Sequence, residues 1–323
     1  MTAPATCVVF AYSEVGARCL GALFEAGVDV RLVVTHEDDP NEQRWFASVA
    51  EVARGAGCRV VTPHDPGDPG LAADIAALAP DFVFSFYYRR MLPASVLALA
   101  RRGALNMHGS LLPRYRGRAP VNWAVLNGET ETGASLHYMV AKPDAGPLVD
   151  QQAVPIGPDD TAFEVAGRVA DAAATVLRRS LPALIAGTAA ARPLDLARGS
   201  YCGGRTPADG EFSFDWPAAR IHNLVRAVAP PFPGAYARLG ESVLRVHRTR
   251  RLAGGARHGA LGPCLALDDG ALVAECGDGA RLELIEAYLD DARLDAERFT
   301  TTFGHAPVPA RPQSRAQARA YSP

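Results

Sequence analysis

Residues 81–108 read DFVFSFYYRRMLPASVLALARRGALNMH, a strand, a helix and a second strand in one pass. Residues 81–86 form a short apolar run closed by a turn, and Phe82, Phe84 and Phe86 within it read as core. Residues 93–101 fit a helix, and residues 103–107 make a short strand that leads into Asn106-Met107-His108. Upstream the same alternation repeats. Strand patterns at 6–11 (TCVVFA), 29–35 (DVRLVVT) and 58–62 (CRVVT) are separated by helical patterns at 14–26, 42–56 and 70–79. Alternation of this kind predicts an α/β fold, a mostly parallel sheet with helices on both faces. Such sheets place ligands beyond the carboxyl ends of their strands, where His108 falls.

After residue 131 the rhythm changes. Residues 132–140 and 148–156 read as two further strands, and 161–187 as a long Ala-rich helix. A catalytic domain is therefore expected over 1–190, with a Gly- and Pro-rich linker over 191–208. Over 209–305, short strand-like runs at 235–239, 242–248, 264–267, 271–275 and 280–286 alternate with Gly and Asp turns, as in a small β-rich domain or barrel. Residues 306–323, with four prolines among Arg, Gln and Ser, read as a flexible tail.

Composition excludes several classes. The net charge of -2 gives no general pull towards nucleic acid or anionic membrane. Lys142 is the only lysine among 33 basic residues, which reads as a coding bias rather than a demand for arginine chemistry. Six scattered cysteines without a C-x-x-C pair suggest neither a zinc site nor a disulfide framework. No run approaches the roughly 20 apolar residues of a membrane helix, and the start lacks a signal-peptide pattern, so a cytoplasmic location is expected.

The loop after the first strand, Ala11-Tyr12-Ser13-Glu14-Val15-Gly16, holds one glycine where a dinucleotide site needs three, and no phosphate-binding P-loop occurs. Interest falls instead on 104–123, ALNMHGSLLPRYRGRAPVNW. Asn106 and His108, two residues apart on a strand, point the same way. Arg114, Arg116 and Arg118 follow, and Lys142-Pro143-Asp144-Ala145-Gly146 is a turn carrying a carboxylate between two strand patterns. An Asn, a His and an Asp meeting in a cleft suit acyl transfer to an amine: a proton acceptor, an oxyanion donor, and a carboxylate that orients the His or raises its pKa. Each has a plainer reading as well. His108 can be a hydrogen-bonded structural residue, Asn106 and Asp144 ordinary turn residues, and the arginines a solvated loop. Spacing alone leaves both readings open.

The run NMHGSLLPRYRGRAP, with the later Asp-Ala-Gly, resembles the N10-formyltetrahydrofolate-dependent formyltransferases. Within that family the chain is similar to the branch acting on UDP-4-amino-4-deoxy-L-arabinose in lipid A modification. The similar runs are VVFAY (8–12), FSFYYRRML (84–92), HGSLLPRYRGRAPVNW (108–123), NGETETG (127–133), GGRTPADG (203–210) and HNLVRAVAPPFPGAY (222–236). The resemblance implies a Rossmann-like catalytic domain and a smaller barrel-like, OB-like C-terminal domain. It implies His108 as base or proton relay, Asn106 as transition-state stabiliser and Asp144 as the group raising the His108 pKa. Arg90, Met91, Leu92, Arg118, Val140, Ala141, Lys142, Pro143 and Asp144 match the folate-carrier segments. The implied co-substrate is N10-formyltetrahydrofolate, with no metal, and the implied partner is a small nucleotide sugar rather than nucleic acid or membrane. In many bacteria this branch is fused to an NAD-dependent decarboxylase, whose glycine fingerprint is missing here; a stand-alone transferase is expected.

Methionyl-tRNA formyltransferase is the main alternative. Residues 209–305 hold 11 Arg, no Lys and 14 acidic residues, the wrong sign for a tRNA-binding domain. A formyltransferase for thymidine-linked amino sugars and a non-catalytic folate binder complete the alternatives. Glycinamide ribonucleotide formyltransferases lack a second domain, and formyltetrahydrofolate hydrolases carry a regulatory domain before the catalytic pattern, which here starts at residue 6.

Overall fold

A computed structural model describes residues 4–38 and 44–310. The first half runs β1 (Thr6–Ala11), α1 (Ser13–Glu25), β2 (Asp29–Val34), α2 (Val49–Gly55), β3 (Val60–Val61), α3 (Pro69–Leu78), β4 (Phe82–Phe86), α4 (Ala94–Leu97) and β5 (Gly103–His108). Then come β6 (Arg116–Gly117), α5 (Pro120–Leu126), β7 (Glu131–Tyr138), β8 (Leu148–Pro155), α6 (Ala162–Ala186) and β9 (Tyr201–Cys202). The remainder is α7 (Ala218–Val228), β10 (Ala235–Leu239), β11 (Ser242–Gly255), β12 (Cys264–Asp268), β13 (Ala271–Glu275), β14 (Ala280–Leu289), β15 (Ala292–Arg293), α8 (Ala296–Phe303) and β16 (Val308–Pro309).

The chain falls into two compact units. One is built from the segments up to Pro120, Glu131–Pro155 and Ala166–Gly203; the other from Val121–Thr130, Ile156–Val165 and the chain from Gly204 onward.

The first unit holds a seven-stranded sheet of order β3-β2-β1-β4-β5-β7-β8. Its first five strands are parallel, as the alternation predicts, and β7 and β8 are antiparallel additions at one side. The order reverses at β1 and β4, which marks the switch point of a doubly wound sheet. Strands buried on both faces read as continuous apolar runs, and β4 is buried at all five positions. Phe82, Phe84 and Phe86 stack at centroid separations of 5.6 and 5.5 Å. Burying each contributes about 1.5–3 kcal/mol. The opposite face packs Val8, Phe10, Leu32, Val83 and Ile75 in one core.

The second unit is a curled antiparallel sheet, β10-β11-β14-β13-β12-β16, with β15 beside β14. Three register shifts between β11 and β14 bend it into a half barrel. Among the described residues β10 and β16 do not pair, so the barrel expected from the turn spacing stays open.

Three local expectations are corrected. The helix predicted over 42–56 begins only at Val49, where the Ser48 hydroxyl accepts from the Glu51 N–H at 3.3 Å; residues 39–43 lie outside the described residues. Val308–Pro309, inside the stretch read as a tail, pairs with β12, whereas residues 311–323 lie outside the description. Helices α7 and α8 interrupt a region read as strands and turns alone. Among the described residues, no helix is long and apolar enough to cross a membrane.

Candidate active site

Strand β5 delivers Asn106 and His108 to one face, and both reach the same oxygen. Asp144 Oδ1 lies 3.3 Å from Asn106 Nδ2 and 3.6 Å from His108 Nδ1. The carboxylate arrives from the turn after β7, whose backbone holds Asp144 in the left-handed region at φ 49°. Its other oxygen, Oδ2, accepts the Gly117 N–H at 2.9 Å. That N–H is aimed by the pairing of β6 with β9, and only glycine fits there. At φ 99°, an added Cβ would stand 2.2 Å from the Cys202 carbonyl oxygen.

His137 completes the group, and the sequence reading missed it. It sits on β7 directly opposite Asn106, is 1% exposed, and places Nε2 3.2 Å from Asn106 Nδ2 and 3.5 Å from Asp144 Oδ1. Its Nδ1 faces the Tyr138 carbonyl at 2.9 Å, which fixes the ring with Nε2 towards Asn106 and Asp144. A histidine inside a strand pattern was the available signal, but pairing with Asn106 depends on the antiparallel register.

His108 is 6% exposed, and its Nε2 donates to the Tyr115 carbonyl at 2.8 Å. The Ser110–Tyr115 loop that supplies this carbonyl is pinned by Ser135, opposite His108. The Ser135 hydroxyl donates to the Ser110 carbonyl at 2.6 Å and accepts from the Leu112 N–H at 3.1 Å. Gly109 allows the loop to leave the strand, since a Cβ there would run into the Tyr87 hydroxyl.

The electrostatics follow from this packing. Burial pushes the His108 pKa down, while Asp144 and the Tyr115 carbonyl pull it back and His137 pushes it further down; the net shift is downward. Asp144 contributes upward to the His108 pKa, and burial outweighs that contribution. For Asp144 itself, burial favours the neutral form. His108, His137 and the Gly117 N–H outweigh that burial and hold the carboxyl well below the usual carboxylate range. The resting state is a neutral His108 beside an ionised Asp144. A proton taken at Nδ1 then meets a carboxylate already in place.

The remaining expected residues divide. Arg90, Arg118, Ala141 and Lys142 are exposed, Pro143 is half-buried, and Met91 and Val140 leave apolar side chains 62% and 41% exposed. Leu92 instead packs in the sheet core. Arg114 and Arg118 lie at the surface, but Arg116 is 7% exposed, and among the described residues its buried Nε and Nη1 have no hydrogen-bond partner. A buried guanidinium left short of acceptors is costly unless an anion completes it. In the second unit, the Asn122 amide donates to the Ala227 carbonyl at 2.8 Å and Trp123 lies under Arg205 at 5.0 Å, which gives both side chains packing roles.

A doubly wound sheet carrying a buried histidine, a carboxylate and an amide beyond the strand ends has the groups that acyl transfer to an amine uses. The chain belongs to the formyl transferase family: residues 8–181 match the formyl transferase domain and residues 205–304 the formyl transferase C-terminal domain. The fold is shared with an N-formyltransferase from Helicobacter canadensis, solved with folinic acid and dTDP-3-aminofucose. The TM-score is 0.70 at 18% identity, over 87% of this chain and 99% of that one. WlaRD, a sugar 3N-formyl transferase solved with dTDP and 5-N-formyl-THF, gives a TM-score of 0.70 at 16% identity over 87% and 97%. A 4-N formyltransferase from Francisella tularensis gives a TM-score of 0.58 at 17% identity over 72% and 92%.

Proposed function

We propose that the chain moves a formyl group from N10-formyltetrahydrofolate to the 4-amine of a nucleotide-linked amino sugar, most simply UDP-4-amino-4-deoxy-L-arabinose. That assignment puts it in lipid A modification and resistance to cationic peptides. The observation carrying the reading is the convergence of Asn106, His108 and His137 on Asp144 Oδ1. The folate carrier supplies a formyl amide activated for attack, so the protein's task is proton and charge management. Apolar Met91 and Val140, with exposed Arg90 and Lys142, have the chemistry to hold a pterin ring and an acidic tail.

In this mechanism the sugar amine attacks the formyl carbon and a tetrahedral centre forms. His108 Nδ1 accepts the amine proton, and the resulting imidazolium is held between Asp144 and the Tyr115 carbonyl. The Asn106 amide exchanges one of its two long bonds, 3.2 and 3.3 Å, for the developing oxyanion. Collapse then breaks the bond to N10, and His108 returns its proton to the leaving nitrogen. One formyl group moves to the sugar amine and one proton to N10, with the N-formyl sugar and tetrahydrofolate as products.

The acceptor reading draws on two further points. Orphaned donors on Arg116 suit the diphosphate of a nucleotide sugar. The net -3 of residues 209–305 disfavours a tRNA acceptor. A thymidine-linked acceptor is the second reading, favoured by the dTDP ligands of the Helicobacter canadensis protein and of WlaRD. Offering UDP-4-amino-4-deoxy-L-arabinose, dTDP-linked 3- and 4-amino sugars and initiator methionyl-tRNA in parallel decides among them. Turnover with the UDP sugar alone supports the first reading, a dTDP sugar alone the second, and tRNA alone overturns both.

A further inference from the structure

The sheet of the second unit carries a cluster with no part in the chemistry around His108. β12 and β13 place Cys264 directly opposite Glu275, so the two side chains leave the ladder on one face. Cys264 is fully buried and Glu275 is 3% exposed. The turn before β12 brings His258 over the pair, its Nδ1 3.1 Å from Glu275 Oε1. One donor atom from each of the three lies within 4.8 Å of the other two.

The charges here are unusual for an interior. Glu275 Oε1 accepts from the Arg257 and His258 backbone N–H groups and from the His258 ring, while among the described residues Oε2 accepts only from the His258 N–H. Among the described residues no guanidinium pairs with it, because Arg257 and Arg281 both turn to Asp268. Oε2 therefore keeps lone pairs for a further partner. A sulfur, a nitrogen and an oxygen donor together suit a borderline divalent ion; magnesium and calcium prefer oxygen alone.

We propose that His258, Cys264 and Glu275 bind one zinc-class divalent ion per chain. Tetrahedral zinc, with bonds of about 2.0–2.3 Å, sets ligand atoms about 3.3–3.8 Å apart. The cluster closes to that size by rotation of Cys264 and by movement of the turn carrying His258, whose side chain is 35% exposed and opens a path to solvent. A carboxylate and a thiolate neutralise the ion, and a fourth position remains for water. Binding releases the Cys264 thiol proton to solvent. The ion would tie the 256–261 turn to β12 and β13.

The full chain, freed of metal with a chelator, is titrated with Co2+ under reducing conditions. The expected result is a thiolate-to-cobalt charge-transfer band with tetrahedral d–d bands, saturating at one ion per chain and displaced by Zn2+. Cys264→Ser loses the charge-transfer band, Cys276→Ser keeps it, and His258→Ala weakens cobalt binding by about 10-fold or more. Formyl transfer by metal-free Cys264→Ser matches the metal-free parent. Absence of the band in the parent, or its survival in Cys264→Ser, overturns the proposal. Should Cys264→Ser fail to fold, unchanged cobalt affinity in His258→Ala, an alteration at a part-exposed turn, overturns it as well.

Discussion

Asp144 Oδ1 stands 3.6 Å from Nδ1 of His108, a ring whose other nitrogen is already committed to the Tyr115 carbonyl at 2.8 Å. Both nitrogens thus face acceptors, and the fully satisfied form is the imidazolium. Burial opposes that form at rest. On the proposed mechanism the pair is a base kept neutral until it is used, with the partner for its cation in position.

Removing the base tests that relationship. His108→Ala is expected to lower kcat/KM by about 10²–10⁴-fold, with the melting temperature retained. Steady-state formyl transfer checks it, and a near-normal rate in a folded variant would remove His108 from the mechanism.

The acid limb of the pH profile gives the sign of the coupling. On the proposed mechanism His108 accepts a proton as the neutral ring, and its folded pKa lies below the ordinary value of about 6.5. The His108 contribution to the acid limb of kcat is therefore expected below pH 6.5. Asp144→Asn removes a contribution that raises the His108 pKa, so the residual activity should keep its acid limb at a lower pH still. A limb displaced upward would contradict the arrangement.

On the proposed mechanism His137 is a positioning residue, acting through Asn106 and Asp144. His137→Phe is expected to reduce kcat by roughly 10²-fold, the scale of an ångström misplacement, with KM little changed. A rise in KM at constant kcat would place His137 in substrate binding instead.

Arg116→Lys keeps a positive charge but loses the planar fork. KM for the nucleotide sugar should rise by about 10-fold, corresponding to a lost charge-assisted hydrogen bond, while KM for the folate carrier stays put. Equal changes in both would count against the diphosphate role.

Stability should weaken in mild acid through His36. This ring stacks on Tyr88 at 4.2 Å, accepts the Arg89 N–H at 3.1 Å, and is pushed down to about 4 by burial and then by Arg89 and Arg90. Between pH 6.5 and about 4 the unfolded chain binds a proton there that the folded chain does not, so stability falls as pH falls across that window. Melting temperatures at pH 7 and 5 should differ less in His36→Phe than in the parent.

The parallel sheet was legible because strands buried on both faces leave unbroken apolar runs, as in Phe82–Phe86. Asn106 and His108 were legible because two residues on a strand share a face, and Asp144 through its motif spacing. His137 was not, since nothing local reports that β7 runs antiparallel with His137 opposite Asn106. The Tyr115 carbonyl and Gly117 N–H are backbone groups, placed by tertiary pairing rather than by residue type. The Leu92 side chain, in a segment carried over by motif, packs in the sheet core. Helix α8, AERFTTTF, is rich in aromatic and β-branched residues that favour strands, and it starts where the Asp295 carboxylate accepts the Arg298 N–H at 2.9 Å. Helix α7 buries His222 and Arg226, polar residues that blur its apolar stripe.

The central claim, formyl transfer to a sugar amine by the His108–Asp144 pair, is tested most directly by tetrahydrofolate release from N10-formyltetrahydrofolate with and without an amino-sugar nucleotide. The account predicts release that depends on the free amine, stops with the N-acetylated sugar, and is lost in His108→Ala. Release at the same rate without any acceptor amine, or undiminished in His108→Ala, would contradict it.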